Sequence, residues 1–364
     1  MAVREVGVLA IGAGPANLAL AVAIEESGSA ELADGTLLLE QSPDVTWQRD
    51  LLMPWARSQV SFLKDLVTLR NPSSRFTFLN FLHEQGRLDE FVNLGTFHPF
   101  RWEFSDYLQW VAKSLERVEI RYGARAAQVD PVCGADGSVS GWSVLLTDGD
   151  EIRCRDLVVG GGRDPRVPEV FSGLPDDRLI HSAQYRTRIA GISRDEPVRA
   201  VVVGGAQSAA EMFYALHENL PQSRVTMLVR SIGLQTYQTS KFVNELFFPS
   251  FVDEFYDSPA EVRAHGKTEP LRCDLVLLGT GYDPRKPALV RELAARVGVD
   301  EVEVSRAHRV ELGESAWGAV YLQGVNEETH GIADSLISVL AHRSRDILTD
   351  LLARRAGATE SRSA

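Results

Sequence analysis

The chain has 364 residues, too many for one simple domain and enough for two nucleotide-binding lobes. Its 44% hydrophobic and 24% charged residues are ordinary for a globular protein. Its net charge of -12 argues against nucleic acid or an anionic membrane surface, because both need a basic face.

No apolar run approaches the roughly 20 residues that span a bilayer. The two short apolar runs near the N-terminus, residues 8–11 and 18–24, lack signal-peptide flanks. Cys133, Cys154 and Cys273 form no CxxC pair, and the eight histidines show no ligand spacing. These features predict free thiols, no metal site and a cytoplasmic location.

Residues 5–11 read as a buried parallel strand. Glycines follow, then an apolar helix over about residues 16–26. A second strand, 36–39, ends at Glu40 and completes a β-α-β opening. Gly12-Ala13-Gly14-Pro15-Ala16-Asn17 lies between that strand and helix, the setting a dinucleotide fingerprint requires. Gly12 permits the tight turn, and Gly14 lets the backbone approach a pyrophosphate. The helix N-terminus offers that anion N–H groups and a positive dipole end. Asn17 replaces the usual third glycine. Glu40 stands where a carboxylate can bind the adenosine ribose hydroxyls. The plainer alternative is a tight βα turn with no ligand.

Residues 47–110 are aromatic-rich with several short helical patterns. Residues 119–159 alternate like strands, with turn signals at Asp136-Gly137 and Asp148-Gly149, and predict a small antiparallel excursion ending in a strand over 156–159. A second strand, glycine and helix unit follows: strand 201–203, Gly204-Gly205, a helix over about 207–216 and a strand over 225–229. Ala206 stands at its second fingerprint position. Arg230 follows the next strand, where an arginine suits the 2′-phosphate of NADPH; the alternative is a solvated charge. Strand 274–278 leads into Gly279-Thr280-Gly281-Tyr282. Residues 319–323 read as a strand, 333–352 as an amphipathic helix, and 356–364 as a disordered tail.

Two nucleotide units in one chain point to a flavin plus a nicotinamide cofactor. The expected class is α/β with two Rossmann-like dinucleotide-binding lobes. A discontinuous FAD lobe covers residues 1–195 and 274–355, and a smaller NADPH lobe is inserted at 196–273.

Residues 59–72 begin Gln-Val-Ser-Phe-Leu-Lys-Asp-Leu. With the Gly-Pro-Ala-Asn-Leu start, this stretch resembles the flavin-dependent N-hydroxylating monooxygenases, the ornithine and lysine N-monooxygenases of siderophore pathways. Agreement continues at residues 76–82, 204–211, 242–245, 280–282 and 330–338, nearly the whole chain, and looks closer to the ornithine members. The resemblance implies an enzyme that uses FAD, NADPH and O2 to hydroxylate the terminal side-chain amine of L-ornithine or L-lysine through a flavin hydroperoxide.

By motif position, Gln59 lies beside the flavin ring and Trp47 packs near it, unless Trp47 is simply core. Lys64 pairs with the substrate α-carboxylate, and Asn244 hydrogen-bonds the amino-acid head. Leu336 and Ser338 fall where the C-terminal motif approaches flavin and substrate; Ser338 can instead bond its own backbone. Gly12, Gly14, Pro15, Asn17 and Glu40 match the FAD positions. Gly204, Gln207, Ser208 and Arg230 match the NADPH positions. No residue is obliged to act as a strong base. The site need only lower the ammonium pKa by desolvation while the other end of the substrate is fixed. Family members tend to be homo-oligomers.

The resemblance breaks in two places. Family members carry several dozen more residues where this chain has only 257–273, and the missing part normally holds an Asn-Tyr-Ser motif that binds the amino-acid head. Where the family has Trp-His-Pro-Gly-Met, this chain has Trp47-Gln48-Arg49-Asp50-Leu51. Three alternatives therefore stand beside the main reading. One is an N-hydroxylase of a decarboxylated diamine such as putrescine or cadaverine. Another is a different two-nucleotide flavoprotein, such as a Baeyer–Villiger or sulfur monooxygenase; a disulfide reductase lacks its CxxC. The third is a catalytically impaired flavin-binding homologue.

Overall fold

The computed structural model describes residues 3–134, 137–229, 272–312, 318–330 and 332–363. They form a mixed α/β chain with mostly parallel sheets, divided into two compact units. One unit comprises Met1–Trp47, Val60–Asp164 and Asp283–Ala364; the other comprises Gln48–Gln59 and Pro165–Tyr282.

In the larger unit, β1 (Arg4–Ile11) lies between two parallel neighbours, β2 (Thr36–Glu40) and β6 (Glu151–Val159). Its last four residues are buried, as expected of a central strand covered on both faces. β3 (Glu119–Tyr122) pairs parallel with β2 at the sheet edge. β4 (Ala126–Cys133) and β5 (Val139–Leu146) form an antiparallel hairpin, and β5 continues antiparallel onto the first half of β6. The last three residues of β6 change partner and pair parallel with β11 (Val320–Leu322). Trp142 on β5 is fully buried, and its indole N–H donates to the Ala319 carbonyl at 3.1 Å, tying the hairpin to the start of β11.

The helix α1 (Pro15–Glu25) buries residues 17–24 without a break, because it is apolar all round. The C-terminal helix Leu340–Ser363 packs along it. After the short α2 (Ala30–Asp34), the helices α3 (Phe78–Glu84), α4 (Leu88–Asn93) and α5 (Arg101–Ser114) build an aromatic core. There Phe78 meets Phe91, Phe104 and Tyr107 with ring centroids 5.4–6.1 Å apart.

Among the described residues, the smaller unit has a four-stranded sheet in the order β7 (Leu179–His181), β10 (Leu275–Leu278), β8 (Arg199–Val203), β9 (Arg224–Leu228), all parallel. Next to the short α6 (Tyr185–Ile189), α7 (Gln207–Asn219) connects β8 to β9 and packs on β8 and β10. Leu51, Met53 and Ala56 join this unit's core.

Three expectations are corrected. β3 belongs to the parallel sheet, not to the antiparallel excursion; the long helical stretch before it supplies the crossover a parallel strand needs. The smaller unit runs from 165 to 282 and takes in 48–59, beyond the expected 196–273, because β7 pairs with β10 and β10 with β8. The last long helix begins at Leu340, not 333. The residues before it form two tight 3-10 turns, Ile332–Ser335 and Ile337–Val339, where Asp334 is tethered off the helix by the Asn326 N–H. That helix continues through Ser363, into the stretch read from composition as a disordered tail.

Replacing Trp142 tests the link between hairpin and sheet. The Ala319 carbonyl also accepts from the Leu157 N–H at 2.8 Å, so W142F loses one hydrogen bond without orphaning it. We expect W142F to lower unfolding free energy by about 1 kcal/mol and W142A by about 3–5 kcal/mol, measured by urea denaturation.

Candidate functional site

The first glycine turn is built by sterics. Gly12 adopts φ +89°, and a Cβ there would lie 2.8 Å from the Gly160 carbonyl oxygen, so only glycine fits. Its N–H donates to the Leu39 carbonyl at 2.8 Å. Glu40 closes the turn from the end of β2: Oε2 accepts from the Ala13 N–H at 3.0 Å and Oε1 from the Ser42 N–H at 2.9 Å. Gly14 is the N-cap of α1 with no side-chain cap, and Pro15 follows at the first helical position. A Cβ on Gly14 would meet nothing within 4 Å, so protein packing does not demand a glycine there.

Asn17 replaces the third fingerprint glycine because it does structural work. It is fully buried. Its Nδ2 donates to the carbonyls of Ile11 at 2.9 Å and Gly12 at 2.6 Å, and its Oδ1 accepts from Gln323 Nε2 at 2.7 Å. Gly160, just after β6, makes room for this amide; a Cβ there would come within 2.7 Å of it. One side chain thus gathers the ends of β1, β6 and β11.

The network continues. Gln323 Oε1 accepts from Arg343 Nε at 3.1 Å. Arg343 Nη1 donates to the Asp334 backbone carbonyl and to its Oδ1, the latter at 3.1 Å. Asp334 Oδ2 accepts from the Asn326 N–H at 2.8 Å. His308 is buried at φ +60°, with Nδ1 3.5 Å from Asp334 Oδ1 and its ring stacked on His330 at 4.0 Å. Burial, and after it the neighbouring His330, push the His308 pKa down to about 4.

The Gln-Val-Ser-Phe-Leu-Lys-Asp segment folds as a 3-10 turn, Phe62–Lys64, capped by Ser61 Oγ. Lys64 ends the turn, exposed. The next residue, Asp65, is buried. Its Oδ1 accepts from the N–H groups of Val67 and Thr68 at 3.0 and 2.6 Å. Its Oδ2 accepts from the Thr68 hydroxyl at 2.8 Å and from the Phe78 N–H, at the start of α3, at 2.7 Å. Burial pushes this carboxyl up, and the three backbone donors and the Thr68 hydroxyl oppose that shift. The Ile337–Val339 turn packs against Phe62–Lys64, bringing the elements of Ser338 and Lys64 together. Leu336 caps that turn. Trp47 lies half-buried, edge-on to Phe104 at 5.6 Å, with its N–H bonded to Ser105 Oγ at 3.0 Å.

In the smaller unit, Gly204 adopts φ +139°, and a Cβ there would lie 2.5 Å from the Gly279 carbonyl oxygen. A Cβ on Gly279 would in turn lie 2.5 Å from that of Ala209, so α7 sits tightly on the strand ends. Gln207 opens α7 and bonds Glu211 at 2.7 Å; Ser208 follows, half-buried. Gln59 belongs to this unit and is exposed. Arg230 and Asn244 lie outside the described residues.

Sequence reading missed several residues. His181 is buried at the end of β7. Its Nδ1 accepts from the Ala183 N–H at 3.1 Å, so Nε2 donates to the Gly281 carbonyl at 2.9 Å and holds the loop after β10. Burial pushes its pKa down. Asp65 stood inside a recognised motif, but its role needed the position of α3. Arg343 showed only as a charge inside an apolar helical stretch.

Among the described residues, no helix is long and apolar enough to cross a membrane. Residues 5–270 match the family model of L-lysine 6-monooxygenase/L-ornithine 5-monooxygenase. The chain is 33% identical to the L-ornithine N(5)-monooxygenase of Pseudomonas aeruginosa, covering 93% of this chain and 92% of that relative. That alignment has 415 positions against 364 residues, so this chain lacks at least 51 of them. The reduced form of ornithine hydroxylase from Pseudomonas aeruginosa superposes with a TM-score of 0.82 at 32% identity, over 97% of this chain and 100% of that one. Ornithine N-hydroxylase from Kutzneria sp. 744, solved with reduced FAD, NADP+ and L-ornithine, superposes with a TM-score of 0.81 at 29% identity, over the same shares.

His308 gives the larger unit an acid-side weakness. Its folded pKa of about 4 lies below the usual histidine value of 6.5. The unfolded chain therefore binds more protons in that window, and the stability contribution present above pH 6.5 is lost as pH falls towards 4. H308N keeps a residue that tolerates positive φ. We expect the urea midpoint to fall less between pH 7 and 5 in H308N than in the parent protein.

Proposed function

Because the chain belongs to the L-lysine 6-monooxygenase/L-ornithine 5-monooxygenase family, we propose that it N-hydroxylates the terminal side-chain amine of L-ornithine, with L-lysine the nearest alternative substrate. The product would serve siderophore or related natural-product assembly. The match over residues 5–270 carries this reading, since it takes in Gly12, Glu40, Lys64, Gly204, Arg230 and Asn244.

The two units are read as two Rossmann-like lobes, the larger for FAD and the smaller for NADPH. Parallel strands with a glycine turn opening a helix support this in each unit. The residues of the first turn fit a pyrophosphate. Gly12 excludes a side chain by sterics, Gly14 has no packing reason to be glycine, and no side chain caps α1, so its N-terminal N–H groups can face an anion. Each Glu40 oxygen keeps a lone pair for a ribose hydroxyl. In the second turn, Gly204, Gln207, Ser208 and Arg230 would hold NADPH, with Arg230 on the 2′-phosphate. FAD, reduced by NADPH, supplies the activation of O2. Gln59, Trp47 and Leu336 would border the flavin.

The protein's own task is to place a neutral amine and keep water away. Lys64 offers an exposed ammonium to the α-carboxylate, and Asn244 and Ser338 take further polar contacts. With that end fixed, the amine reaches the reacting oxygen as an intramolecular partner. A decarboxylated diamine is disfavoured, because its second ammonium would face Lys64 with like charge.

The test is to incubate FAD-loaded protein with NADPH and air, offering L-ornithine, L-lysine, putrescine and cadaverine separately, and to follow one added oxygen by mass spectrometry. Hydroxyornithine is the expected product. NADPH consumption yielding only peroxide with all four amines would favour the impaired homologue. In K64A, loss of a charge-assisted pair of about 1.5–3 kcal/mol should raise KM for ornithine by roughly 10- to 100-fold, with kcat changed much less.

A further inference from the structure

The larger unit buries an ion pair whose energy does little to explain its presence. The Arg343 and Asp334 side chains are 3% and 0% exposed. Taking two such charges out of water costs several kcal/mol each, and apolar replacements are often as stable. Arg343 also sits in the first turn of helix Leu340–Ser363, at the positive dipole end, where a cation is least favoured.

What the pair does supply is direction. Arginine only donates, so Gln323 Oε1 must accept from it. The Gln323 amide must then donate to Asn17 Oδ1, which leaves the Asn17 amide to donate to the carbonyls of Ile11 and Gly12. No member can turn over without breaking bonds on both sides. At the other end Asp334 lies two residues before Leu336 and four before Ser338.

We propose that Arg343 is a positioning residue that locks the segment carrying Leu336 and Ser338 to the glycine turn at Gly12, so that both move as one piece. The proposal rests on the reading of that turn as the FAD site. Linkage then requires that loosening the chain weakens FAD and substrate binding together.

The test uses R343K, Q323E, N17A and the double variant R343K/N17A. Lysine keeps the charge but cannot bridge Gln323 and Asp334 as a planar fork does. Q323E is close to isosteric; it still accepts from Arg343 but cannot donate to Asn17. Apoprotein is titrated with FAD by flavin fluorescence, KM for ornithine is measured on holoenzyme, and the thermal midpoint is recorded. We expect R343K and Q323E each to raise the FAD Kd about tenfold and KM in parallel. The double variant should be no worse than the weaker-binding single variant, as for members of one network. A lower thermal midpoint with unchanged FAD Kd and KM would overturn the proposal, as would FAD effects that multiply in the double variant. If R343K does not fold, Q323E decides on the same readouts. If the parent protein binds FAD but makes no hydroxyornithine, the substrate reading fails, while the FAD titrations still decide the role of Arg343.

Discussion

Three parallel strands end on one carboxamide. Asn17 holds the last residue of β1 and the following glycine through their carbonyls, presses on Gly160 beyond β6, and takes a proton donor from Gln323 beyond β11. Asn17 and Gln323 are buried, so a bond lost between them or to the Ile11 carbonyl would leave an unpaired polar atom at a cost of about 1–3 kcal/mol. The departure from the three-glycine fingerprint follows from this. A glycine at 17 would satisfy the motif and leave three strand ends without their common partner. Gly160 has no side chain because the amide occupies that space, and Gln323 is polar in a buried place because the amide needs a donor.

A second contrast lies within the most recognisable motif. Lys64 and Asp65 are adjacent and opposite in charge, yet they do not serve one another. The lysine stands exposed at the end of its turn. The carboxylate is turned inward, where it accepts from three backbone N–H groups and a hydroxyl. Backbone donors can hold a buried carboxylate without a cation. Asp65 therefore sets the path of the chain from the lysine to α3, and the lysine is left available for a ligand.

What was legible in the sequence was local. Glycines between an apolar run and a helical pattern located both turns, and Glu40 was recognisable because its distance from the first turn is short. The family resemblance rested on contiguous words of sequence. What was not legible depends on pairing across long separations. Nothing near residues 275–278 says that this strand lies between β7 and β8, so the expected lobe boundaries were displaced. β3 looked like part of a hairpin because alternation does not distinguish parallel from antiparallel neighbours. The partnership of Arg343 with Gln323 and Asn17 spans 326 positions of sequence between its ends and has no local signature.

The order of strands along the chain bears on how the protein is made. β11 and the helix that covers α1 come from the last 45 residues, while β1 and α1 come from the first 25. During synthesis the larger unit has its opening β-α-β in hand long before the pieces that seal it emerge. Until then the apolar face of α1 and the free edge at the end of β6 stay uncovered. Contacts of such separation close slowly, and uncovered edges of this kind invite association between nascent chains. Truncation near the C-terminus should therefore act on the opening fold as strongly as a lesion within it, although 294 residues lie between the two stretches.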